Sequence, residues 1–347
     1  MKKFLSLVLA LTMVMSLAAC GSNGNTPAAG SGSQGNDTPA DVITIKVGHQ
    51  LSQSHPYQMA LEYMNELLQE RTNGRVQLQI FPSSQLGSER ELLEGIQMGT
   101  VDMCLATGPV ASFDPDFYIN DLPYIYKNTA HAYAVLDGEI GQSLLDGLEA
   151  YQMKGITFWE TGWLCPFNNV REVKTPDDLK GLSLRTMENL TYVNYFTELD
   201  CNPVPMAYSE FVSSVSNGTI NGTLSPIVTI YTDKTYQICP YITRSYQWYC
   251  PAAMIMRPDL WNSFDAETQE IFMDCAKEAR DYERQCLADL EQEYMDAIKA
   301  DGGVITEVDV ALWQSSTDAI QAAWKEVVPS KVSQELIDQI VALGEQY

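Results

Sequence analysis

From Asp265 to Ala300 the chain runs 36 residues without a glycine or proline, and Gly302-Gly303 closes the run. Ile271, Cys275, Ala279, Tyr282, Cys286, Leu290 and Tyr294 recur within it at three- and four-residue steps, the spacing of one helical face. At about 1.5 Å per residue such a helix reaches roughly 54 Å, more than one small lobe can cover. A coiled-coil dimer is the alternative for that length, but this stripe carries Cys, Ala and Tyr where a coiled coil favours Leu and Ile. The run is therefore predicted to be a single strut lying across two lobes. The chain length of 347 residues agrees with two domains.

Ahead of the strut the pattern is that of a wound α/β sheet. Ile43 to Val47 and Val76 to Phe81 read as strands, with an amphipathic helix from Tyr57 to Glu70 between them. Ser88-Glu89-Arg90-Glu91 is a capping box that opens a helix to about Met98, and Gly99-Thr100-Val101-Asp102 turns the chain into a strand at Met103 to Ala106. A similar grammar returns later. Thr175-Pro176-Asp177-Asp178 starts a short helix, Leu182-Ser183-Leu184 is a strand, a helix follows near Tyr192 to Leu199, and Pro203 to Met206 is another strand. Gly218-Thr219-Ile220-Asn221 then echoes the earlier Gly-Thr-Val-Asp turn. The expected fold class is α/β, with two doubly wound lobes, a ligand cleft between them and the long helix spanning both. The expected division is 41–164 with about 251–285 for lobe I, and 165–250 with about 286–347 for lobe II.

Composition excludes several roles. Asp and Glu number 45 against 21 Lys and Arg, a formal charge of −24, so the surface repels nucleic acid. There are three His and no metal-ligand spacing, so no metal is expected. No Gly-x-Ser-x-Gly elbow, dinucleotide glycine fingerprint or P-loop occurs, so neither an enzyme nor a cofactor is expected. Residues 151–250 hold 16 of the 34 aromatics, a wall that would suit a flat or apolar ligand body.

The amino-terminal segment reads separately. Lys2 and Lys3, an apolar run from Phe4 to Met15 and small residues after it make a secretory signal, residues 1–19. Leu17-Ala18-Ala19-Cys20 resembles a bacterial lipobox, which implies lipidation of Cys20 and attachment to the outer face of the cell membrane through lipid alone. Gly21 to Ala40 has the composition of a flexible tether. Seven Cys remain beyond Cys20, with irregular spacing; most read as small buried hydrophobes, and a Cys239–Cys250 bridge is conceivable.

Together, several motifs resemble the DctP-like solute-binding proteins of TRAP transporters. They are Thr72-Asn73-Gly74-Arg75-Val76, Phe81-Pro82-Ser83-Ser84-Gln85-Leu86-Gly87, Gly99-Thr100-Val101-Asp102-Met103 and Asp121-Leu122-Pro123-Tyr124. Thr175-Pro176-Asp177-Asp178-Leu179-Lys180-Gly181-Leu182-Ser183-Leu184-Arg185 and Pro205-Met206-Ala207-Tyr208-Ser209-Glu210-Phe211 follow in order. The resemblance implies a monomeric two-lobed trap that closes on a small organic acid and delivers it to TRAP permease membrane subunits driven by an ion gradient. An ABC-type solute-binding lipoprotein, or a ligand-sensing partner of a membrane receptor, is the alternative.

By the same resemblance Arg185 grips the ligand carboxylate. It also follows Leu184 at the carboxyl end of a strand, where wound sheets bind ligands, and its planar fork suits a carboxylate. An ion pair with Asp177, Asp178 or Glu210 is the other reading of that arginine. Two departures stand out. Leu164 occupies the place of the family's second arginine, and Ser225 that of its carboxylate-binding asparagine, so a single carboxylate is expected, or a ligand that is not a typical acid. Gln50, His55, Glu89 and Thr107 are expected on the opposite wall, with His55 as a loop donor. Trp163, Tyr208, Tyr246 and Trp248 are the aromatic candidates for the cleft.

Overall fold

In a computed structural model, which describes residues 42–328 and 330–347, the unbroken run forms one helix, Ala266–Ala300. Asp265 caps it, its carboxylate accepting the Thr268 amide at 2.7 Å. Phe272, Cys275, Ala276 and Ala279 pack into the core of one lobe, whereas Met295 and Ile298 pack into the other. The strut is therefore real, but its buried face is turned from the expected stripe. Of the seven stripe residues only Cys275 and Ala279 are buried, because the middle of the helix buries Glu283 and Arg284, which an apolar pattern passes over.

Eleven strands are described in two sheets: β1 Ile43–Gly48, β2 Val76–Phe81, β3 Met103–Ala106, β4 Lys154–Trp163, β5 Cys165–Asn168, β6 Ser183–Thr186, β7 Asn202–Pro205, β8 Gly222–Ser225, β9 Tyr241–Arg244, β10 Tyr249–Met256 and β11 Val304–Glu307. The first lobe is built on the order β2-β1-β3-β10-β4 and the second on β11-β9-β5-β8-β6-β7. β1, β2 and β3 run parallel, as do β6, β7 and β8, while β10 is antiparallel to both its neighbours. Apolar clusters cover both faces of each sheet, as a wound α/β sheet requires.

The echoed turns fold alike. Gly99 and Gly218 take φ of 74° and 78°, a left-handed region open to glycine without strain. Thr100 N donates to Gly95 O at 2.9 Å and Thr219 N to Ser214 O at 3.0 Å. The residue ending each turn then ties to a neighbouring strand: Asp102 accepts the Lys46 amide at 2.8 Å, and Asn221 accepts that of Ser183 at 2.9 Å. The same device, used once per lobe, sets each central strand beside its neighbour.

The chain crosses between the lobes three times up to the end of the long helix, and once more before the last helix. β4 passes into β5 through Leu164, β9 returns to β10 through residues 245–248, and the long helix makes the third crossing. The carboxyl-terminal stretch corrects the expected division. The sequence pattern puts residues 286–347 in lobe II, yet Ile337 and Ile340 of the last helix pack with Val135 and Leu136 of lobe I. Lys127 Nζ donates to Gly344 O at 2.9 Å and holds the helix there. The packing of Thr317–Lys325 against lobe II explains the error, because the chain changes lobe only after that helix. All seven described Cys are free, so Cys239 and Cys250 are not bridged, and six of the seven are buried. The signal, Cys20 and the tether lie outside the described residues.

Candidate functional site

The carboxyl ends of the strands of both sheets meet at a crevice. Gln50 comes from the loop after β1, Glu89 from the first turn of helix Glu89–Met98, Thr107 from just past β3, and Thr161 from β4. Facing them are Arg185 of β6, Met187, Tyr208, Ser225 at the end of β8, and Thr229 of helix Ile227–Thr232. Leu164 and Cys250 form the floor where the chain crosses. The cavity there is about 30 Å³, far smaller than an organic acid, so the lobes must part to admit one.

Arg185 is 6% exposed. Its Nε donates to Met206 O at 2.9 Å, and the guanidinium lies 5.5 Å from the Tyr208 ring centre. Among the described residues that Nε bond is the only hydrogen bond its side chain makes, and no carboxylate pairs with it. The ion-pair reading fails because none of Asp177, Asp178 and Glu210 pairs with Arg185 among the described residues, and the latter two are engaged locally. Asp178 accepts the Thr175 amide at 2.9 Å, and Glu210 accepts that of Ala207 at 3.2 Å. Burial lowers the Arg185 pKa, and the field of Glu89 opposes that. Glu89 is itself buried. Its two oxygens accept the Thr107 amide at 2.9 Å and hydroxyl at 3.0 Å, while burial pushes its pKa up to about 7 against those bonds and against Arg185.

Direct bonds hold the lobes together around this crevice. His55 Nδ1 accepts the Tyr57 amide at 3.1 Å, so Nε2 carries the proton and donates to Thr229 Oγ1 at 3.1 Å. Asp121 of lobe I accepts from Tyr192 Oη and Asn189 Nδ2 of lobe II, each at 2.7 Å. Tyr208 Oη donates to Asp233 at 2.9 Å, which fixes the ring beside Arg185.

Six expected ligand residues thus come together: Arg185, Tyr208, Ser225, Gln50, Glu89 and Thr107. Four do not line the crevice. His55 bridges the lobes instead, its ring nitrogens both occupied. Trp248 is 1% exposed, packed on Tyr192, Tyr195 and Phe196, and donates to Asp121 O at 2.9 Å. Trp163 donates to Thr129 Oγ1 at 3.0 Å, and its ring packs on Tyr246 and Tyr249 away from Arg185. Tyr246 lies under the Arg244 guanidinium at 5.0 Å. The aromatic wall is core and crossing structure, because hydrophobic rings fill the junctions that two sheets leave. Sequence reasoning missed Thr161, Met187 and Thr229. Met187 was within reach, two positions beyond Arg185, whereas Thr229 needed the tertiary fold.

Residues 47–331 match the family described as bacterial extracellular solute-binding protein, family 7, DctP. The chain belongs to that family. Its members are the solute-binding components of TRAP transporters, a transport role rather than an enzymatic one. The chain is 31% identical over 268 residues to the 2,3-diketo-L-gulonate-binding periplasmic protein YiaO of Escherichia coli, covering 77% of this chain and 82% of that protein. It is 30% identical over 307 residues to the C4-dicarboxylate-binding periplasmic protein DctP of Rhodobacter capsulatus, covering 87% and 89%. A TRAP periplasmic solute-binding protein from Bordetella bronchispeptica, with density interpreted as pantoate, superposes with a TM-score of 0.82 at 31% identity, covering 86% of this chain and 98% of that one.

Proposed function

We propose that this DctP-family chain captures a small hydroxylated monocarboxylic acid, with the carboxylate on Arg185, and hands it to TRAP permease membrane subunits. The observation that carries the reading is a buried guanidinium without a carboxylate partner among the described residues, at the carboxyl ends of the strands. A carboxylate reaching it gains two parallel charge-assisted hydrogen bonds in a site shut off from water. Leu164 leaves no second cation among the described residues of the crevice, which supports one carboxylate rather than two. Glu89, Gln50 and Ser225 surround the remaining space with polar groups suited to hydroxyls. The relative named for 2,3-diketo-L-gulonate and the neighbour with density interpreted as pantoate agree with one carboxylate, whereas the Rhodobacter capsulatus relative is named for C4-dicarboxylates, so the reading rests on the single crevice cation. No aromatic body is called for, since Trp163, Tyr246 and Trp248 stand elsewhere.

Capture follows from the hinge. The acid enters between parted lobes, meets Arg185, and the bonds of Asp121 and His55 re-form across the closed crevice. Native mass spectrometry of the purified protein tests this: a co-purified small monocarboxylic acid is expected, and a bound amine or sugar without a carboxylate contradicts it. We further propose that Cys20 is lipidated and holds the body at the membrane. Cys20→Ala should then move the intact protein from the membrane fraction to the soluble one, and continued membrane association contradicts the anchor.

A further inference from the structure

A second cavity, of about 110 Å³, lies on the long-helix side of the β4–β10 ribbon and shares Thr161 and Pro226 with the crevice. Lobe I contributes Tyr133, Glu160, Trp163 and Tyr249 to its wall, and the long helix contributes Arg284. Three of these are more than nine-tenths buried and carry a polar atom without a partner among the described residues, Arg284 through its Nε. Glu160 is 4% exposed; its Oε1 accepts from Tyr133 Oη at 2.7 Å, and its Oε2 has no partner among the described residues. Tyr249 is 2% exposed and its hydroxyl has none either. Buried polar atoms left bare are costly, and they collect where a ligand group completes them.

Charge narrows the class of ligand. Glu283, wholly buried on the long helix, brings a second carboxyl beside Glu160, again without side-chain partners among the described residues. The nearest cation, Arg284, makes no hydrogen bond to either acid, although its field favours the ionised form of both. Arg284 is bidentate to Asp137, at 2.6 and 3.0 Å, and its guanidinium lies 3.9 Å from the Tyr133 ring centre. Arg244, farther along, is paired with Glu291 at 2.9 Å. The pocket therefore has carboxyl groups with no hydrogen-bonded cation, a bare hydroxyl and aromatic walls, beside an arginine held by Asp137. A cavity of about 150 Å³ takes benzene, so this one takes something smaller.

We propose that this cavity is a second binding site, for a small organic ammonium ion that donates to Glu160 Oε2 between Tyr133, Trp163 and Tyr249. The site is separate from the Arg185 crevice and does not depend on how that crevice is read. Aromatic faces favour such a cation, and the free carboxylate fixes its N–H groups.

The probe is ethylammonium chloride, added to the purified full chain at pH 8, above the value of about 7 to which burial raises Glu160, while the Trp163 indole N–H is followed by NMR, its resonance assigned with Trp163→Phe. A saturable shift is expected below about 100 mM, a range that reveals any Kd near 1 mM. Glu160→Gln should weaken it roughly tenfold or more, because the amide keeps the Tyr133 bond but loses the charge. Tyr249→Phe, which removes one hydroxyl, should weaken it by a smaller factor and serves should Glu160→Gln not fold. Arg185→Met should leave it unchanged, which separates this site from the crevice. Absence of a saturable shift overturns the proposal. So does an equal shift from potassium chloride at the same ionic strength, from neutral ethanol, or in Glu160→Gln.

Discussion

The two faces of the β4–β10 ribbon carry opposite unpaired charge. On the strand-end side Arg185 has one backbone bond and no carboxylate partner among the described residues; on the helix side Glu160 and Glu283 have no cation of their own. Both faces are buried, and both sit in one chain of formal charge −24. Total charge therefore says little about what each face selects. What matters is which charge has been left without its partner after every local bond is made, since that group meets the ligand at low dielectric.

The largest effect should come from removing the crevice cation. Arg185→Met should weaken the co-purified acid by roughly 30- to 5000-fold, the cost of about 2–5 kcal/mol for truncating one side of a buried charged pair. Arg185→Lys should recover only part, because an ammonium cannot form the two-pronged bond. Calorimetry on the folded variants decides it, and an unchanged affinity in Arg185→Met would place the acid elsewhere.

A smaller effect should come from pH. Glu89 has its pKa raised to about 7 by burial, so it is largely neutral below that value and ionised above it. A bound carboxylate next to it favours the neutral form, so binding takes up a proton. Affinity should fall as pH rises through about 7, by at most about tenfold per unit. Glu89→Gln should flatten the profile. A profile that keeps its slope in that variant removes Glu89 from the site.

Smallest is the effect on the fold itself. Glu160 and Asp121 are also raised to about 7 by burial, above their ordinary carboxylate values. The folded state then binds more protons than the unfolded one between about pH 4 and 7, and stability is lost as pH rises across that window. The melting temperature should drop from pH 5 to pH 8, and Asp121→Asn should lessen the drop; a melting temperature that rises with pH would contradict the assignment.

The fold was legible where local chemistry repeats. Capping boxes, the paired Gly-Thr turns and a run without Gly or Pro each act within a few residues, so the strut and the wound lobes could be read from them. The crevice was legible where a residue sits at a strand end, as Arg185, Glu89 and Thr107 do. It failed for Trp163, Tyr246 and Trp248, though not for Tyr208, because composition cannot tell a ring that fills the junction of two sheets from one that faces a cleft. Trp248 is the plain case: its neighbours come from residues far apart in sequence. Glu160 and Glu283 were invisible for the same reason, since each looks like any surface acid until the long helix lies against β4.

The central claim, one carboxylate held by one arginine, is tested most directly by calorimetry of pantoate against succinate on the wild-type protein and on Leu164→Arg. The wild type should bind the monocarboxylate roughly tenfold or more tightly than the dicarboxylate, since a second carboxylate would enter the crevice without a cation. Leu164→Arg should narrow or reverse that preference. Tighter binding of succinate by the wild type would contradict the account.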